Sequence, residues 1–320
     1  RLRTEKSDLQ HVLCPKRHWL VHDRLRLEQK KPFCRSCAEK GTGRWCKEGR
    51  YKSRSKIGDK SVIGLEVVAA PHVHIPFQRI PEYIDFIRKE HLDLEIYFGS
   101  VVLDGIARNE LTEVRERLGP SASLSIHAPF MDLSPGAVDA KVRTVTIDRF
   151  SRVLDVSEVL LPEVAVFHSG YEKWKYALKA DLWLEKSLET WKPLNERAAA
   201  IGVKIAIENI FEDEPSNLKL LMEGMASENF GICLDTGHFN LFSKVPLEEW
   251  MDALNPHIIE LHLHDNNRQA DQHLAMGEGV FDFKKFFGLL QNKDCIYTLE
   301  AHTPEAVLQS IDYLRSLRGI

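Results

Sequence analysis

Across residues 58–320, short β-rich runs alternate with longer runs of helical period, and this alternation constrains the fold more than any other feature of the chain. Candidate strands are Val62–Val68, Leu94–Phe98, Ser123–His127, Val164–His168, Val203–Glu208, Gly231–Asp235, Ile258–His264 and Ile296–Glu300. Ile80, Ile84 and Ile87 recur at helical spacing, as do apolar positions in 107–118, 139–157, 174–200, 216–226, 247–254, 282–291 and 304–317. Eight strand-then-helix units in about 260 residues predict an α/β fold, a (β/α)8 TIM barrel.

Side-chain parity along the strands adds a second constraint, because alternate residues of a strand face opposite sides. Ser125 and His127 share a face, with Leu124 and Ile126 opposite; Ala206 and Glu208 oppose Ile205 and Ile207. Cys233 and Asp235 oppose Ile232 and Leu234; Glu260, His262 and His264 oppose Leu261 and Leu263; Thr298 and Glu300 oppose Tyr297 and Leu299. The bulky apolar parity is expected against the outer helices and the polar parity inside the barrel. Each polar series ends in His, Glu or Asp at the C-terminal end of a strand, where barrel enzymes build their active sites. Cys233 and Cys295 read as small buried apolar residues.

The formal net charge of -4 conceals two unlike segments. Residues 1–57 hold 17 Lys and Arg against 6 Asp and Glu, a net of +11, whereas residues 58–320 carry a net of -15. The first segment lacks a sustained apolar period and is expected to be a disordered or irregular basic extension, a non-native leader or a fragment end. Its Cys34-Arg35-Ser36-Cys37 pair suits one edge of a zinc site that Cys14, His18 or Cys46 would complete, but a second such pair is missing. No apolar run reaches the ~18 residues of a membrane helix, and no apolar stretch follows Arg1-Leu2-Arg3-Thr4. The cytoplasm is the expected location, and the oligomeric state is not legible.

Collected, the residues at the expected barrel mouth are His127, His168, Glu208, Asp235, His238, His262, Asp271, His273 and Glu300. Imidazoles and carboxylates without thiolate suit a catalytic zinc, manganese or iron(II) site rather than a closed structural one. Asp235 and His238 reach one site if a turn begins at Asp235. Asp271 and His273 face the same way in an extended loop, and Gly277-Glu278-Gly279 is expected to turn the backbone tightly near a ligand.

These motifs resemble the endonuclease IV / xylose isomerase-like TIM-barrel superfamily (AP endonuclease family 2) over roughly residues 62–318. The carriers are Ile126-His127-Ala128-Pro129-Phe130, Phe167-His168-Ser169-Gly170, Ile207-Glu208-Asn209, Cys233-Leu234-Asp235-Thr236-Gly237-His238, Leu261-His262-Leu263-His264-Asp265, Asp271-Gln272-His273 and Leu299-Glu300. The resemblance implies two patterns of metal use. Isomerase and epimerase members hold one ion through residues matching Glu208, Asp235, His262 and Glu300. Endonuclease IV-like members hold three: one on His127, His168 and Glu208, one on the four-residue set, and one on His238, Asp271 and His273, with Glu208 bridging. The chain has all nine, a surplus that favours metal-assisted phosphodiester hydrolysis with Glu208 and Glu300 as catalytic residues.

An AP endonuclease acting in DNA repair is the lesser reading, because the barrel segment lacks the basic balance of a DNA binder. A small-molecule phosphodiester is preferred. The runs His127–Gly136 and Leu94–Gly99 resemble a branch that includes cobamide-remodelling phosphodiesterases, which implies the nucleotide loop of a corrinoid as substrate. Tyr97, Phe98, Phe130, His72, His74 and His264 are the expected substrate-binding residues. The alternative is a sugar or sugar-phosphate isomerase or epimerase using one metal and the Glu208–Glu300 pair. A non-catalytic metal-binding or nucleic-acid-binding protein is the third reading.

Overall fold

The computed structural model describes residues 70–318. The expectations for residues 1–57, including the Cys34–Cys37 pair, and for a strand at Val62–Val68 lie outside the described residues. In chain order the elements are β1 (His72–Pro76), α1 (Ile80–Glu90), β2 (Asp93–Tyr97), α2 (Ser100–Gly105), α3 (Arg108–Leu118), β3 (Leu124–His127), α4 (Ala140–Leu160), β4 (Val164–His168), α5 (Ala180–Ala200), β5 (Lys204–Glu208), α6 (Ser216–Met225), β6 (Phe230–Asp235), α7 (Thr236–Phe242), α8 (Leu247–Leu254), β7 (Ile258–Leu263), α9 (Phe283–Leu289), β8 (Ile296–Leu299) and α10 (Pro304–Arg318). The strands form a closed barrel in sequence order, and every pairing is parallel, including β1 with β8.

The first strand of this barrel is therefore His72–Pro76, a stretch absent from the candidate strands, preceded by Pro71 and ending in Pro76. Its period is nevertheless 2: Val73 and Ile75 join the hydrophobic core, while His72 and His74 alternate with them. The core lies between strands and helices, anchored by Trp183, Trp191, Trp250, Phe150 and Phe167, all essentially inaccessible. A separate small cluster of Val164, Val166, Ala206 and Cys233 comes from the other parity of β4, β5 and β6 and fills the barrel interior. Cys233 is buried there, and Cys295 is half-buried. Among the described residues no helix is long and apolar enough to cross a membrane.

Two features carry the site. First, β6 runs directly into α7: Asp235 ends the strand, caps the helix and accepts a hydrogen bond from the His238 backbone N–H at 2.6 Å. Second, the segment after β7 closes on itself through paired backbone hydrogen bonds between Asp265 and Leu274, at 3.0 and 2.9 Å. The loop so closed carries Asp271 and His273. The Gly277-Glu278-Gly279 turn takes part in this closure. The Asp265 carboxylate accepts from the backbone N–H groups of Asn266, Gly277 and Phe281, and a Cβ on Gly279 would lie 2.3 Å from Asp265 Oδ1.

Candidate metal centre

Glu208, the last residue of β5, stands at the middle of the cluster and is buried. Its Oε2 lies 3.0 Å from His127 Nε2 and 3.1 Å from His168 Nε2. Its Oε1 lies 3.1 Å from His238 Nδ1 and 3.6 Å from His262 Nδ1. One carboxylate thus faces two different groups of imidazoles, one with each oxygen. These positions follow from register: His168 is paired with Glu208 and Asp235 with His262 across adjacent strands.

Three carboxylates converge on His262. Its Nδ1 lies 3.3 Å from Glu300 Oε1, 3.6 Å from Glu208 Oε1 and 3.8 Å from Asp235 Oδ2, yet makes no hydrogen bond although it is fully buried. The third group sits above. Asp271 Oδ2 is 3.4 Å from His238 Nε2 and 3.1 Å from His273 Nε2, and His273 Nδ1 is 3.3 Å from Glu300 Oε2. His273 reaches this position in the left-handed region, with φ of 47°, so the loop is not extended as its spacing suggests. Such a conformation in a residue with a side chain is costly and persists where the surroundings impose it.

The proton affinities follow from this crowding. Burial alone would raise the carboxyls of Glu208, Asp271 and Glu300. Neighbouring imidazoles overcome that and hold all three low, Glu300 at about 2. Burial opposes protonation of His273, but the hydrogen bond to Asp271 and the charge of Glu300 carry it up to about 9. Burial opposes protonation of His262 as well, but Cys233 and the carboxylates of Glu95, Glu300 and Glu208 outweigh it and raise its proton affinity.

All nine residues expected at the mouth are in this cluster. The expected substrate-side residues divide. His74 is half-buried, with Nδ1 2.7 Å from Glu95 Oε1 and 3.3 Å from Glu300 Oε1. Tyr97 and Phe130 stand beside it at the rim: Tyr97 lies edge-on to His127 with ring centroids 5.7 Å apart, and Phe130 stacks on His168 at 4.4 Å. Phe98 does not line the site. It has the opposite parity to Tyr97, is fully buried and stacks on Phe77 at 5.1 Å. His72 also lies away from the mouth, one inward position below His74, or about 6.6 Å along the strand. Its ring nitrogens contact Ser125 Oγ and Ser123 Oγ, each at 3.0 Å. His264 is deeper than a substrate-facing residue should be: fully buried, with Nε2 3.0 Å from Asp235 Oδ2 and its ring stacked on His273 at 4.0 Å. A Cβ at position 237 would lie 2.0 Å from His264 Cε1, so only glycine leaves room for that ring.

One buried acid at the site is absent from the expected site residues. Glu95, from β2, is completely buried, and its Oε2 lies 3.0 Å from His262 Nε2. Parity would have found it, because Glu95 shares a face with Tyr97; the run ends in Phe98, an apolar residue, and so draws no attention to its inward face. Below it Glu260 accepts hydrogen bonds from Ser125 and Thr298 at 2.9 and 2.7 Å. Burial and the Glu95 charge push the Glu260 carboxyl up to about 8.

Comparison with known proteins places this geometry in context. A family model described as xylose isomerase-like TIM barrel matches residues 63–317. The uncharacterized protein MJ1311 of Methanocaldococcus jannaschii is 32% identical over 181 residues, covering 54% of this chain; the match spans 61% of that protein's length. Among solved structures, the TTHB071 protein of Thermus thermophilus, soaked with ZnCl2, superposes with a TM-score of 0.66 at 26% identity, over 78% of this chain and 97% of that one. A D-tagatose 3-epimerase-like protein gives 0.67 at 26% identity, with the same coverage. D-psicose 3-epimerase from Clostridium cellulolyticum shares the fold at 13% identity, with a TM-score of 0.64, over 78% of this chain and 99% of that one.

Proposed function

The chain belongs to the xylose isomerase-like TIM-barrel family, and from that premise we propose that it is an enzyme dependent on divalent metal ions, hydrolysing a small-molecule phosphodiester. The observation that supports this reading is the Glu208 carboxylate, with His127 and His168 on one oxygen and His238 and His262 on the other. That is the arrangement of a bridging ligand between two cation positions. The donor set fits the group it would hold: His262 Nδ1 is a buried nitrogen without a hydrogen bond, ringed by oxygens of Glu208, Asp235 and Glu300. A cation among them would satisfy it. His127, His168 and Glu208 would hold one ion, Glu208, Asp235, His262 and Glu300 a second, and His238, Asp271 and His273 a third; zinc, manganese and iron(II) all suit these donors.

Divalent ions in such a cluster supply an acidified water and offset negative charge on phosphate oxygens. The chain's own residues do the rest. Glu208 fixes the spacing of the two inner positions, and Glu300, facing both His262 and His273, orients the water or completes the ligand set. Tyr97 and Phe130 form an apolar edge that would seat the organic part of a substrate, for which the nucleotide loop of a cobamide is the preferred candidate. Nucleic acid is disfavoured by the net charge of -15 on residues 58–320.

A second reading has the more direct support of the comparisons: sugar or sugar-phosphate isomerisation or epimerisation. The D-tagatose 3-epimerase-like protein at 26% identity favours it over hydrolysis. Only the Glu208, Asp235, His262 and Glu300 set would then be needed, with Glu208 and Glu300 as the acid–base pair on either side of the reacting carbon. His127→Ala and His273→Ala separate the two. Each should abolish phosphodiesterase activity while leaving a one-metal epimerase partly active. Assays on cobamides, bis(p-nitrophenyl) phosphate, abasic DNA and ketohexoses, run in parallel on metal-loaded protein, test the substrate. Turnover of ketohexoses alone would overturn the hydrolytic reading.

A further inference from the structure

The nine candidate donors and the rim pair Tyr97 and Phe130 have a role in the reading above; Glu95 has none. It projects inward from β2, is inaccessible to solvent, and spends both oxygens on imidazoles. Oε2 is 3.0 Å from His262 Nε2, and Oε1 is 2.7 Å from His74 Nδ1. A carboxylate can only accept, so both ring nitrogens donate.

The consequence falls on the opposite edge of the His262 ring. With a proton on Nε2, the Nδ1 lone pair is the donor available to a cation, and Nδ1 is the atom that Glu208, Asp235 and Glu300 surround. The neighbouring acid, Glu260, does not compete for Nε2. Its Oε1 is taken by Ser125 and Thr298, its Oε2 makes no hydrogen bond, and the Nε2 contact goes to Glu95. We infer that Glu95 is the positioning residue of this centre, fixing the tautomer and ring orientation of His262 so that Nδ1 faces the cation position, and tying His74 to the same carboxylate. The inference rests on the metal-dependent reading proposed above. Partners of this kind raise ligand basicity and lock ring orientation, and their loss typically weakens metal binding by about 10–100-fold.

The test uses full-length protein with Zn2+, which is diamagnetic, and the nearly isosteric Glu95→Gln beside Glu95→Ala. Zinc affinity is read by chelator competition, and the His262 ring nitrogens by long-range 15N–1H correlation. Wild-type protein should coordinate zinc through Nδ1 and keep its proton on Nε2. Both variants should bind zinc about 10–100-fold more weakly, with Glu95→Gln the milder because its amide oxygen still accepts one hydrogen bond. Circular dichroism establishes that each variant is folded; if Glu95→Ala is not, Glu95→Gln carries the comparison. Zinc bound through Nε2, or with equal affinity in wild type and Glu95→Gln, would overturn the inference alone. Wild-type protein that takes up no zinc would overturn the metal reading and this inference with it.

Discussion

At the scale of single residues, Glu208 and Gly237 make the sharpest claims. Glu208 faces four imidazoles with two oxygens. Glu208→Ala should therefore empty more than one cation position, whereas His127→Ala should empty one; metal content after dialysis distinguishes them. Gly237 leaves space that the His264 ring occupies. Gly237→Ala should destabilise the fold by about 1–3 kcal/mol, as overpacking of a core commonly does, and should also lower metal content by displacing His264 from Asp235. Urea unfolding and metal analysis read the two effects. The candidate donors that end strands were legible in the sequence because strand parity assigns each a direction without knowledge of its neighbours, whereas His238, Asp271 and His273 lie outside the strands and were found by residue type and spacing. Glu95 was equally available to that argument, but it lies inside its strand rather than at the end. Phe98 and His72 were misplaced for the same kind of reason: one has the outward parity, and the other lies a full repeat below the mouth.

At the scale of elements, the loop between β7 and α9 carries Asp271 and His273, two of the donors of the proposed outermost cation position. Its base is closed by Asp265, whose carboxylate accepts from three backbone N–H groups. Asp265→Ala would leave those donors unpaired, at about 1–3 kcal/mol for each buried group. The loop should loosen, amide exchange should rise across residues 265–281, and Asp271 and His273 should lose their ion while the inner positions keep theirs. Long helices such as α4 and α5 declared themselves through their period. The helices α2 and α7, of six and seven residues, did not. Fewer than two turns give little repeat to count (the equally short α9 shows only within the longer run 282–291), and α7 begins on a capping Asp235 that the sequence alone reads equally well as a turn. The strand β1 was hidden by Pro71 before it, by Pro76 at its end and by inward histidines that break the apolar run.

For the whole molecule, the barrel concentrates titratable groups whose proton affinities oppose one another, and this predicts a pH profile. In the metal-free protein Glu300 is held at about 2, below its ordinary 4.5. Its contribution to stability is present above the ordinary value and is lost as pH falls toward 2. His273 is raised from 6.5 to about 9, so its contribution is complete below 6.5 and is lost as pH rises through 9. Thermal melts of metal-free protein should therefore fall off on both sides of a plateau between these limits. Metal uptake should run the other way on the alkaline side, tightening as pH rises toward 9, because binding must displace the His273 proton. The acidic balance of residues 58–320 acquires a local meaning, since Glu208, Asp235, Asp271 and Glu300 are four of its charges and would be offset by bound cations. The central claim, that one carboxylate bridges two members of a three-ion cluster, is tested most directly by metal stoichiometry. Protein reconstituted with Zn2+ or Mn2+, desalted and measured by elemental analysis, should hold about three ions per chain, falling by one in His273→Ala. A single ion per chain, unchanged in that variant, would contradict the cluster and leave the one-metal isomerase or epimerase reading in its place.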